Sequence, residues 1–201
     1  MGINEIRNPI QKRSIEKKEK IIKYGFDLIC EKGFHNTNTA EIAKAAGVST
    51  GIVYQYFNDK RDIFLQGIEQ YSKSLLFPIN EISLKRIEES DMETELRNVI
   101  NKSIKNHKIS EAAHEEIYAL QHSDPDVAKI FLNQEIEATN KLISILENTN
   151  ISTSNLNEKA HIIVSLIDNL CHEVVYHKHK NMDYTAMIDI VVKTVLHLLD
   201  K

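Results

Sequence analysis

No glycine follows Gly67 in a chain of 201 residues that holds only 6 glycines and 3 prolines. The last two-thirds therefore lacks the residue that adopts positive φ without steric cost. A P-loop, a dinucleotide-binding glycine fingerprint and a string of tight β-hairpins are excluded there. What remains is helix, and the apolar spacing agrees. Ile15, Ile21, Ile22, Phe26 and Ile29 share one face at helical intervals. The same period predicts helices over about 14–32, 39–46 and 50–57, and from 60 towards Pro78, which should interrupt that helix. A further turn or two fits 78–90, and later helices fit about 92–106, 110–122, 126–147, 156–178 and 184–200. Gly33 is placed to stop the first helix. Ser123-Asp124-Pro125-Asp126 is a helix start with proline one position inside. The uncharged polar run 148–155 reads as a loop. No repeat and no strand-period segment interrupts the pattern, so the expected fold is all-α with about nine helices.

Composition fits a soluble protein with a real core, 42% apolar and 27% charged. Cys30 and Cys171 sit singly on apolar stripes, as reduced core cysteines of a cytoplasmic protein would, a single disulfide being the alternative. The N-terminus lacks the apolar run of a signal peptide, and no segment approaches the roughly 20 apolar residues of a membrane span. Charge is uneven. Residues 1–60 carry 10 Lys/Arg against 7 Asp/Glu, while 61–201 carry 15 against 22. A basic head on an acidic body hints that the head meets an anion, although two merely solvated surfaces would look the same.

The segment AEIAKAAGVSTGIVYQYFNDK, residues 40–60, packs a turn and an aromatic cluster between two short helices. Asn38 and Glu41 have capping-box spacing. Ile42, Ala43 and Ala46 face inward, and the two alanines allow a second helix to approach. Gly47 stands where the chain turns, Ser49 can cap the second helix, and Val53 and Phe57 pack back four residues apart. This is a helix-turn-helix. The outer face of its second helix carries Thr50, Gly51, Tyr54 and Gln55, with Tyr56 at the flank. A protruding polar helix of this size fits a DNA major groove, and its N-terminal amides suit phosphate. Asp59 can cap the next helix, placing Lys60 at its start. Arg7, Lys12 and Arg13 form a small basic arm ahead of the first helix, either a backbone or minor-groove contact or a free tail.

Residues 31–64, EKGFHNTNTAEIAKAAGVSTGIVYQYFNDKRDIF, resemble the TetR family of bacterial transcriptional regulators. The resemblance rests on the Gly-aromatic pair, Thr37, the EIAKAAGVS core, YQYF and a lysine after a polar turn. It implies a homodimeric, ligand-responsive regulator, usually a repressor that binds a palindromic operator and is released by a small-molecule inducer. It further implies an N-terminal DNA-binding domain over 1–60 and a ligand-binding and dimerisation domain over 61–201. Carried over by position, Thr39, Tyr54, Tyr56 and Lys60 would contact phosphates, and Thr50, Gly51 and Gln55 would face base edges. Two departures matter. Ala40 stands where some members have a guanine-reading arginine, and Ile52 stands where many have Thr or Ser.

In the body, Ile163, Ile167 and Val174, then Met187, Val191 and Val195, form stripes broader than one core face needs. The surplus suggests a four-helix interface with a second copy, with deep burial inside one chain as the alternative. Polar or aromatic residues among apolar ones, namely His114, Tyr118, Gln121, Phe131, Asn169, His172 and Tyr176, are candidates to line a pocket. His177 and His179 diverge on a helix. Glu111 and His114 share a face, but no HExxH or paired CxxC occurs. No metal, cofactor or catalytic constellation is expected, and the chain is read as a non-enzyme. The expected partners are duplex DNA, a second copy and an unidentified small effector. A ligand carrier or enzyme with a merely structural helix-turn-helix is the alternative.

Overall fold

The computed structural model describes residues 12–80, 91–107, 109–149, 151 and 154–199. Among them are nine α-helices and no strand: α1 Lys12–Lys32, α2 Thr39–Ala46, α3 Thr50–Tyr56, α4 Lys60–Asn80, α5 Met92–Asn106, α6 Glu111–Ser123, α7 Pro125–Leu146, α8 Leu156–Val175 and α9 Tyr184–Leu199. The helix expected over 78–90 and the residue Arg7 lie largely or wholly outside the described residues. None of the described helices is long and apolar enough to cross a membrane.

The chain forms two compact units. One comprises residues up to Tyr71 together with Ile109–Ile130; the other comprises Ser72–Lys108 and Phe131–Lys201. In the first, Ile21, Ile22, Phe26 and Ile29 of α1 are buried as their spacing predicts, whereas Ile15 is 43% exposed. Ile63, Phe64 and Ile68 of α4 complete this core. The helices approach closely because two interface positions have no side chain. A Cβ on Gly25 would lie 2.6 Å from Ile63 Cγ2, and one on Gly67 would lie 2.5–2.7 Å from Phe26. The second unit is built on Ile163, Val164, Ile167 and Leu170 of α8 and Val191, Val192 and Val195 of α9, with Val99 and Ile100 of α5.

Helix ends follow the local chemistry. Gly33 stops α1 at φ 87°, its N–H donating to the Ile29 carbonyl at 2.7 Å. Asp91 and Ser110 cap α5 and α6 through their side chains. Pro78, expected to interrupt α4, lies instead within its last turn. A proline there frees the carbonyl four residues earlier, and Asn106 Nδ2 donates to that Ser74 carbonyl at 2.7 Å. The exchange explains why the helix reaches Asn80. The helix expected to run to 178 ends at Val175. Both cysteines are free thiols, and burial pushes each up to about 12.

Asp124 ties the first unit together. Its carboxylate accepts from Arg61 Nη1 and Nη2 at 2.8 and 3.0 Å, and also from the backbone N–H of Asp126 at 3.0 Å at the start of α7. The Arg61 guanidinium holds the Asp124 carboxyl below its ordinary value, with the α7 amides assisting. A group depressed in this way stabilises the fold fully above its unfolded pKa, and loses that stabilisation as pH falls through the folded value. Asp124→Ala should therefore cost about 1–2 kcal/mol at pH 7, mostly the lost cap, because the half-exposed Arg61 pair is screened by solvent. Urea midpoints should show the difference constant above about pH 4 and shrinking below it. A difference that grows with acid would show that Asp124 is not the group responsible.

Candidate nucleic-acid interface

The turn between α2 and α3 is set by three local devices. Glu41 N–H donates to Asn38 Oδ1 at 3.0 Å, and Asn38 N–H donates to Glu41 Oε2 at 3.2 Å, closing the capping box at the start of α2. At its end Gly47 adopts φ 68°, and Val48 N–H reaches back to the Ala43 carbonyl at 3.0 Å. This Schellman arrangement needs a left-handed residue, which glycine supplies. Ile42, Ala43, Ala46, Val53 and Phe57 are then all buried.

Those inward residues fix what α3 shows outside. Thr50, Gly51, Tyr54 and Gln55 are exposed along one side, and Ile52 is half-buried. Ser49 occupies the N-cap position, but its side chain makes no capping bond, contrary to expectation. Its backbone carbonyl alone accepts from Ile52 and Val53, at 2.9 and 3.3 Å. The first-turn amides of α3 consequently have no side-chain acceptor from Ser49. Asp59 does cap α4, accepting from Asp62 N–H at 3.0 Å. Lys12 and Arg13, at the start of α1, are exposed.

Two proposed phosphate contacts have other attachments. Tyr56 is only 7% exposed, its ring part of the core. Lys60 Nζ donates to the carbonyls of Phe34 and Thr37 at 2.6 and 2.8 Å, and lies 4.4 Å from the Phe34 ring centroid. An ammonium has three N–H donors, so Lys60 holds the α1–α2 loop with two and keeps one. This also accounts for a lysine at a helix start, where the dipole disfavours it. Thr39 is half-buried at the first position of α2.

Residues 21–66 match the description of bacterial regulatory proteins of the tetR family. The match spans 46 of the 201 residues and coincides with the helix-turn-helix segment. The chain is 46% identical over 48 residues to the HTH-type transcriptional regulator HbdR of Aromatoleum sp., a match that covers 24% of the chain and spans only 21% of HbdR's length. It is 23% identical over 159 residues to the HTH-type transcriptional regulator BetI of Escherichia coli, covering 77% and 80% of the two proteins. Its fold superposes on a TetR-family transcriptional regulator from Mesorhizobium loti with a TM-score of 0.75 at 19% identity, over 94% and 98% of the two chains.

Two observations bear on the residues suggested in the body. One cavity among the described residues, about 40 Å³, is walled by Met92, Glu95, Leu96, Val99, Leu142, Ile145 and Ile163 among others. None of the seven suggested pocket residues lines it. His114, Tyr118 and Gln121 lie on α6, where the His114 and Tyr118 rings stack at 5.9 Å and Tyr118 is 44% exposed. Phe131 is half-buried and Asn169 exposed. His172 and Tyr176 also come together, with ring centroids 6.3 Å apart. Second, Ile163, Ile167, Val191 and Val195 are 2–7% exposed within a single chain. Their apolar surface is covered by their own unit, which leaves of the suggested interface only the half-buried Val174 and Met187.

Proposed function

We propose that the chain is a ligand-responsive, DNA-binding transcriptional regulator, acting in the cytoplasm as a homodimeric repressor of a palindromic operator. The observation that carries this reading is the uncovered outer face of α3, where Thr50, Gly51 and Gln55 stand exposed on a helix whose other side is locked into the core. These three residues would face base edges. Tyr54 and Thr39 would meet phosphates, Lys60 would do so through its remaining N–H, and Tyr56 would contribute at most its hydroxyl. Residues 1–60 would be the DNA-binding part and 61–201 the sensing and self-association part. No chemical step belongs to the reading.

Self-association is assigned to what α8 and α9 leave outside. Ile162 is 49% and Ile190 64% exposed, and Val174 and Met187 are half-buried. The effector would enlarge the apolar cavity beside α5, so an apolar molecule suits it. Moving the chain from 1:99 to 99:1 between DNA-competent and DNA-incompetent states needs about 5.5 kcal/mol of differential binding.

Selection of bound sequences from random duplexes should yield an inverted repeat. On that repeat Gln55→Ala should lose roughly 5–150-fold in affinity, the equivalent of one bidentate adenine contact, with little change on non-specific DNA. Equal losses on both DNAs would remove Gln55 from base reading. No enrichment at all would remove the regulator.

A further inference from the structure

His107 closes the C-terminal end of α5, and its imidazole is among the most buried polar groups of the second unit, with a side chain 1% exposed. Its Nδ1 lies 2.8 Å from the Ser103 carbonyl oxygen. A carbonyl only accepts, so Nδ1 carries the proton and the neutral ring presents a bare lone pair at Nε2. That nitrogen is buried and makes no hydrogen bond. Burial of such an acceptor without a partner is costly, and each instance calls for an explanation. Nε2 is aimed at a carboxylate and a second imidazole. Asp168 Oδ1 lies 3.9 Å from it, outside hydrogen-bond reach, and Asp168 Oδ1 lies 3.8 Å from His172 Nε2. The last two share one face of α8, four residues apart. The ligand atoms of His107, Asp168 and His172 all fall within 4.8 Å of one another.

We propose that His107, Asp168 and His172 bind a divalent first-row transition metal ion, zinc being the best suited. Three arguments converge. Two imidazoles and one carboxylate are a donor set of the borderline type that zinc takes. A backbone carbonyl on Nδ1 is the outer hydrogen bond that fixes a metal-binding histidine in the tautomer with Nε2 free. Tetrahedral ligands at about 2.0–2.1 Å stand roughly 3.3 Å apart, so the two Asp168 distances of 3.8–3.9 Å need to close by about half an ångström, and the two imidazole nitrogens, within 4.8 Å, by at most about 1.5 Å. The Asp168 and His172 side chains are 45% and 20% exposed, so both reach solvent at the site. Three protein ligands leave a fourth position for water or another donor, with the Tyr176 ring beside both histidines. An ion held here ties the end of α5 to the middle of α8. The site goes beyond the DNA-binding reading and does not depend on it.

The test is zinc titration of the full chain by calorimetry, after stripping with chelator and dialysis. One ion per chain is expected to bind. Asp168→Asn and His172→Gln should each weaken binding by at least about 100-fold, since even outer-shell changes cost 10–100-fold. Exposed His179→Gln should change nothing. Cobalt(II) should give the intense visible absorption of four-coordination, lost in both variants. Circular dichroism of the variants separates loss of the site from loss of the fold, and Asp168→Asn, at a part-exposed position, is the variant that keeps the result readable. The proposal is overturned if wild type takes up no ion, if neither Asp168→Asn nor His172→Gln changes the affinity, or if His179→Gln abolishes binding. DNA binding is measured separately, so failure of the metal site and failure of the regulator are distinct results.

Discussion

Gly67→Ala is expected to destabilise the first unit by about 2–3 kcal/mol, although alanine is the better helix former by about 1 kcal/mol. The added methyl would sit 2.5 Å from Phe26 Cδ2, 2.6 Å from its Cβ and 2.7 Å from its Cγ. A clash with a ring edge can be relieved by rotating the ring. A clash with Cβ cannot, because that atom is fixed to the α1 backbone. Phe26 is also held by Phe64 at 6.2 Å and Tyr71 at 5.9 Å between ring centroids. Relief therefore requires α1 and α4 to move apart, opening the core that contains Ile22, Ile29 and Ile63. Denaturant midpoints measure the loss, and thermal melting should fall by roughly 5–10 °C for a chain of this size. If Gly67→Ala is as stable as wild type, or more so, the close approach of α1 and α4 is refuted.

The elements legible in the sequence were those decided within a few residues. The Asn38–Glu41 box, the left-handed Gly47, the Asp59 cap of α4 and the proline start of α7 are all present. Each is a contact between neighbours in the chain, so spacing and side-chain type suffice. Choices among distant partners were not legible. Periodicity shows that Ile163 and Val195 are turned inward from solvent, but not whether the covering surface belongs to the same chain or another. Lys60 reads as a spare charge until the carbonyls of Phe34 and Thr37, 26 and 23 residues away, are found beside it. Pro78 reads as a break until Asn106 is seen to satisfy the carbonyl it frees. His107 carries no local signal, because its partners on α8 are some sixty residues on. The Asp168–His172 pair, at i and i+4, was the half of that cluster a sequence could have offered.

Gly51→Glu should separate fold from function more sharply than any other change on α3. Gly51 is exposed, and a Cβ there meets nothing nearer than Ser49 Oγ at 3.9 Å. Its backbone is helical, so no positive φ is lost. Glutamate is the better helix former, and a negative charge in the first turn interacts favourably with the positive end of the helix dipole. Stability should therefore stay level or rise by up to about 1 kcal/mol. DNA binding should move the opposite way. The new carboxylate would project from the face proposed to enter the groove, between phosphates and base edges rich in acceptors. Such like-charge placement costs several kcal/mol, so affinity for the selected repeat should fall at least ~100-fold. Non-specific affinity should fall as well, which distinguishes this change from Gln55→Ala. Denaturation and fluorescence-anisotropy titrations on one preparation read both quantities. A variant that is stable and binds DNA as wild type does would mean that α3 does not approach the duplex, and base reading would then have to be sought on another face. A variant that loses DNA and stability together would show that Gly51 is required by the fold, contrary to the open space around it.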